Sequence, residues 1–249
     1  MAEKSVHDLE SNAIAFFSKE LAEPFTVAIE ILNLASAVLG IDTPGKLAKA
    51  RIVRLLLLQR IQNDLRCCII LAERGYPLQA LGHAASIFEG WVTIAAINNE
   101  GDAVKWLSHA DESSSFGRIR TLTRQALDGT VGNSDDADRL YSQYQQACMA
   151  KHLNPIVERA RGYTVQAGQI QFRPGPDISD RAIQQAWYAV ERSSRFAFFG
   201  ILAFIHNDTP PLSKELQDRT TATLNTLEKL QAKSAKLWSQ NYSSGESRT

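Results

Sequence analysis

Proline and glycine interrupt this chain so seldom, 8 and 14 times in 249 residues, that most of it runs in long stretches whose apolar residues recur every third or fourth position. That spacing stacks them on one face of a helix. The sequence therefore predicts an all-α protein, a helical bundle of about seven to nine helices. The punctuation sets the boundaries. A first helix over 6–21 stops near Pro24, and a second over 25–39 is closed by Gly40. Asp42 and Thr43 ahead of Pro44 read as the start of a third, which runs to Arg74 and ends at Gly75. Its middle, 52–58, is apolar nearly all round and is expected at the centre of the bundle.

Pro77 opens a fourth helix reaching about 98, and shorter helices follow over 102–109 and 116–127, then a loop over 128–133. Ser134, Asp135 and Asp136 make an acidic start for a helix over 137–151, limited by Pro155. Alternation around Gly168 suits a minor hairpin over 163–172. Two long helices, 180–206 and 213 to about 240, complete the chain. Residues 1–241 read as one helical domain and 242–249 as a disordered polar tail.

Charge and cysteine usage narrow the function classes. Lys plus Arg equals Asp plus Glu at 27 each, so no global field draws the protein to nucleic acid or anionic lipid. Three cysteines, two of them adjacent at Cys67 and Cys68 in an apolar run, suit buried thiols in a reducing compartment and a cytoplasmic location. The first twenty residues lack the apolar core of a signal peptide. The run 196–205 is about half of the roughly 20 residues that span a bilayer, so it reads as a core helix, and no membrane partner is expected.

No phosphate loop, dinucleotide fingerprint, serine elbow, paired-cysteine zinc site or calcium loop is present. The histidines at 7, 83, 109, 152 and 206 never take the spacing that sets two metal ligands on one helical face. Neither a metal nor a cofactor is expected.

Two constellations remain. On the fourth helix Gln79, Gly82, Ser86, Glu89 and Thr93 share one narrow face, and the other positions are apolar. Glu89 is expected to be enclosed and paired, with Arg54, Arg60, Arg66, Arg192 and Arg195 as candidate partners. It is then either a general base or binding carboxylate, or half of a structural ion pair. On the helix over 137–151, Tyr144, Cys148 and His152 stack four residues apart, with His152 at the helix end. A histidine there is a proton donor or phosphate contact, or it caps the last carbonyls.

Weaker features have plain readings. The basic sets Lys46, Lys49, Arg60 and Arg118, Arg120, Arg124 read as solvated faces. Asp135, Asp136 and Asp138 offer oxygens to a hard cation but are explained by the helix dipole. Trp91, Trp106, Trp187 and Trp238 read as core or interface anchors. The last helix carries Leu216, Leu224, Leu227 and Leu230, which dock on the chain itself or on a second copy.

The run Gly75, Tyr76, Pro77, Leu78, Gln79, Ala80, then Ser86, Ile87, Phe88, Glu89, then 144–152 and Pro155, resembles a bacterial all-helical family similar to the HEPN (higher eukaryotes and prokaryotes nucleotide-binding) superfamily. The resemblance covers about residues 50–155. Such proteins carry Arg-Ser-x-x-Glu on the middle helix, and here the arginine position is Ala85. Catalytic members are generally ribonucleases with an Arg and a His a few residues apart, a spacing that no Arg-then-His pair in this chain reproduces.

The resemblance thus implies a lost or differently assembled active site, in a phage-defence or toxin–antitoxin setting. The leading expectation is a non-catalytic interaction or sensor module, a homodimer or other homo-oligomer, or bound to a protein partner. Its polar stripe at Gln79, Ser86, Thr93 and Tyr144 fixes packing or receives a ligand. The alternative is a HEPN-like ribonuclease or nucleotide-acting hydrolase, with Glu89 and His152 catalytic and RNA or a nucleotide as partner.

Overall fold

The computed structural model describes residues 5–41, 47–108, 117–127, 134–152, 163–166, 169–172, 175–208 and 212–245. The described residues form an all-α bundle of nine helices with one short hairpin. In chain order the helices are α1 (Val6–Glu20), α2 (Ala22–Leu39), α3 (Lys49–Glu73), α4 (Pro77–Ala96), α5 (Glu100–Ser108), α6 (Ile119–Leu127), α7 (Ser134–Lys151), α8 (Asp180–Asp208) and α9 (Lys214–Gly245). Strands β1 (Tyr163–Gln166) and β2 (Gln169–Phe172) pair antiparallel, with Tyr163 opposite Phe172.

Most boundaries follow local chemistry. Ser5 caps α1 with a full capping box, its hydroxyl accepting from the Asp8 amide while the Asp8 side chain accepts from the Ser5 amide. Pro24 does not end a helix, contrary to expectation. It lies in the first turn of α2, where its missing N–H has no intrahelical partner to lose, and the break falls at Leu21. Helix α9 runs to Gly245, past its expected end near 240, and 246–249 lie outside the described residues. The Asp42, Thr43 and Pro44 start of α3, the loop over 128–133 and His109 also lie outside them.

Helices α4 and α8 are the centre of the bundle, with α3 across both. Phe88 meets Trp91 and Phe196 edge to face at 5.2 and 4.9 Å between ring centroids, and Trp91 meets Phe199 at 4.9 Å. Ile61 of α3 fits where α4 and α8 both carry glycine: a Cβ added at Gly90 or Gly200 would stand 2.8 Å from its side chain. The middle of α3 is less enclosed than its apolar run suggests, since Ile52 and Leu56 face outward at 41% and 53% exposure. The buried side of α3 faces α4 and α8 and extends to α2, where buried Gln62 donates to the Leu32 carbonyl at 3.2 Å.

Among the described residues α2 is the one helix long and apolar enough to cross a membrane, with mean hydropathy 1.4. Its buried face, including Phe25, Ala28, Ile31 and Leu34, belongs to the core. Leu216, Leu227 and Leu230 of α9 are buried in that same core while Leu224 stays exposed, so the leucine stripe docks on its own chain. Arg219 to Glu30 at 2.8 Å and Lys233 to Glu23 at 2.7 Å fasten α9 to α2.

Among the described residues two buried ion clusters lie inside. At one end, Arg54 on α3 meets Asp208, the last residue of α8, and also donates to the Ile97 carbonyl after α4. At mid-bundle Glu191, fully buried, lies 3.4 Å from Arg192 and 3.3 Å from Arg195. Burial lowers the Arg195 guanidinium to about 10, against the support of Glu191. The Arg192 and Arg195 expected for Glu89 thus serve Glu191.

Candidate functional site

The site grows from one face of α4. Positions 86, 89, 90 and 93 come to the same side at helical spacing, and that side fronts a cleft of about 400 Å³ between α3, α4, α5 and α6. Ser86, Glu89, Gly90 and Thr93 form its α4 wall. Leu57 and Arg60 of α3 stand on one flank, and Trp106 and Leu107 of α5 with Gly117, Ile119 and Leu122 on the other. Polar groups are thus gathered on α4, facing a mostly apolar remainder, as in many small-molecule sites.

Helix α7 runs antiparallel beside α4, since Gly82 abuts the Lys151 backbone while Phe88 stacks on Tyr144 at 5.0 Å. This pairing supplies the partners of Glu89. The Tyr144 hydroxyl donates to one carboxylate oxygen at 3.0 Å, and Lys151 Nζ lies 3.3 Å from both oxygens. Glu89 is therefore not enclosed, and no described arginine holds it. Its side chain is 31% exposed, because Phe88, Trp91 and Val92 bury the other sides of α4 and leave this one at the cleft. Desolvation raises the Tyr144 phenol, reinforced by its hydrogen bond with Cys148 and by the Glu89 charge. The hydroxyl keeps its proton and acts as a donor.

Thr93 is buried and donates to the Glu89 carbonyl at 2.7 Å, so its proton is committed and its lone pairs are what remain for the cleft. Gln79 lies exposed near the start of α4, outside the cleft lining. No hydrogen bond joins His152 to Glu89: it follows Lys151 at the end of α7, with an exposed side chain that makes no hydrogen bond to a described residue. Its amide closes the helix by donating to the Cys148 carbonyl at 2.9 Å.

A neighbouring group was not singled out by sequence. His83 Nδ1 lies 3.0 Å from Asp64 on α3, and Arg60 Nε lies 3.7 Å from the other oxygen of that carboxylate. His83 sits one turn below Ser86 and Ile87, so helical spacing placed it beside the stripe. What sequence lacked was Asp64, whose meeting with it depends on how α3 and α4 align. Of the other candidates, Asp138 pairs with Arg120 at 3.0 Å and Arg124 at 3.5 Å, and Asp136 with Arg139 at 2.7 Å. The Arg120 hydrogen bond holds the Asp138 carboxyl below the usual range. Among the described residues no group of three His, Cys, Asp or Glu is placed to hold a metal ion.

No family model matches the chain, and neither the curated proteins nor the solved structures hold a significant match to it.

Proposed function

We propose that this protein is a non-catalytic sensor or interaction module that receives a small ligand in the cleft on α4. One observation carries the reading: Ser86, Glu89 and Thr93 open into a single cavity of about 400 Å³, a volume within the range of ligand pockets. The state of Glu89 supports binding over turnover. Tyr144 and Lys151 hold its carboxylate from α7, and among the described residues no hydrogen bond or ion pair joins it to His152. A carboxylate already engaged by a phenol and an ammonium is a poorer general base than a free one.

The resemblance of residues 75–89 and 144–155 to the HEPN superfamily supports a bacterial defence or toxin–antitoxin setting, while cysteine usage favours the cytoplasm and the balanced charge and helix-borne aromatics favour a homodimer. Light scattering tests the last point.

The central test is a thermal-shift screen of metabolites and nucleotides against wild type and Ser86→Phe, which fills the cleft. A ligand that raises the wild-type Tm and leaves folded Ser86→Phe unmoved supports the reading. RNA cleavage by wild type that disappears in a folded Glu89→Ala variant would replace it with the nuclease.

A further inference from the structure

We infer that the cleft selects a small organic cation, a protonated amine carried on an apolar or aromatic body. The inference rests on the binding reading above and adds the ligand's chemistry. It follows from which hydrogen-bonding roles remain open on the α4 wall. A carboxylate accepts only, so Glu89 offers lone pairs. Thr93 has given its proton to the Glu89 carbonyl at 2.7 Å, so it too faces the cleft as an acceptor. The Ser86 hydroxyl serves either role. The wall therefore asks for a donor.

Charge points the same way. Arg60, the one cationic side chain lining the cleft among the described residues, is 63% exposed and lies 3.7 Å from Asp64, so its field is spent largely on its own helix and in solvent. Lys151 neutralises Glu89 from α7, yet it approaches both oxygens at 3.3 Å with each partner about one third exposed. An ion pair that exposed is weak, so an incoming ammonium exchanges with Lys151 at little cost. Trp106 lines the same space and supplies the aromatic ring a cation would favour, while Leu57, Leu107, Ile119 and Leu122 suit an apolar body.

The experiment compares three probes that share one ring system and differ in charge: tryptamine, the neutral alcohol tryptophol, and indole-3-acetate. Calorimetric titration of wild type should find tryptamine bound at least about tenfold more tightly than either of the others. Glu89→Gln should remove that preference and leave tryptophol unchanged. Thr93→Val, which keeps shape and loses the acceptor, should weaken tryptamine about threefold, and it carries the test if Glu89→Gln fails to fold by circular dichroism. Equal or tighter binding of indole-3-acetate overturns the cation inference and leaves the cleft as a binding site. Binding of none of the three overturns the inference, and a metabolite screen that is also blank removes the binding reading with it.

Discussion

Arg54 and Asp208, 154 residues apart in sequence, form a two-pronged ion pair inside the protein, with Nε to Oδ2 at 2.5 Å and Nη2 to Oδ1 at 2.7 Å. Arg54 also donates to the Ile97 carbonyl, and Arg51 donates to the Asp208 carbonyl. The ends of α4 and α8 are thus joined to the start of α3 through two guanidinium groups. Fixed fork geometry makes arginine the residue suited to this.

Removing one partner strands the other. Asp208→Ala should destabilise by about 3–5 kcal/mol, because Arg54 is then buried without its counter-charge. In a chain of this size that lowers Tm by roughly 6–20 °C in differential scanning calorimetry. The double replacement Arg54→Met with Asp208→Leu should recover most of the loss, since an apolar pair of similar volume carries no stranded charge.

Gly75 between α3 and α4 has φ of +84°, and an added Cβ would stand 2.6 Å from Pro176. Its carbonyl accepts from the Asp177 amide at 2.9 Å, so the turn is clamped to the segment leading into α8. Gly75→Ala faces backbone strain and a steric clash together, and the expected cost is at least about 2 kcal/mol by urea denaturation. Gly101→Ala, at a solvent-exposed position of α5, is the control and should fall within about 1 kcal/mol of wild type.

Burial pushes the Cys68 thiol up from 9.0 to about 12. Its folded pKa lies above its unfolded one, so the stability it contributes is complete below pH 9 and is lost as pH climbs from there towards 12. Between pH 9 and 10 the wild type should lose about 1 kcal/mol more than Cys68→Ala, read as the difference between their denaturation midpoints at each pH. At neutral pH a thiol reagent should label exposed Cys67 first and reach Cys68 only on unfolding.

Tyr144→Phe keeps the ring stacked on Phe88 and deletes the hydroxyl that donates to Glu89. The expected loss is about 1 kcal/mol by chemical denaturation. A double-mutant cycle with Glu89→Ala, which removes the acceptor, should show coupling of similar size, and additive losses would mean that the hydrogen bond contributes nothing in solution.

The bundle was legible because helical periodicity is local: one turn of sequence shows which residues share a face, and Ser86, Glu89 and Thr93 were grouped by that rule alone. Pairings between helices are not local. Lys151 reaches Glu89 from 62 residues away, and no period on α4 names α7 as its neighbour. Glu191 was missed for the same reason in reverse. Arg192 and Arg195 were expected for Glu89 while the carboxylate next to Arg192 in sequence went unremarked, yet α8 is buried nearly all round at that level and Glu191 is their partner. Glu89 was expected to be enclosed from its apolar neighbours, but those neighbours bury the far side of α4.

Ile61 has a mechanical consequence. Its side chain occupies the space of two missing methyl groups, one on α4 and one on α8, and every neighbouring position on those helices carries a Cβ. Sliding either helix by one residue would drive Ile61 into a side chain, so the three helices are keyed in register like a pin through two drilled plates. Gly90 is at once one of those holes and part of the cleft wall. The α4 side of the cleft therefore behaves as a fixed anvil, and any adjustment to fit different guests must come from α5 and α6, the two nine-residue helices across the opening.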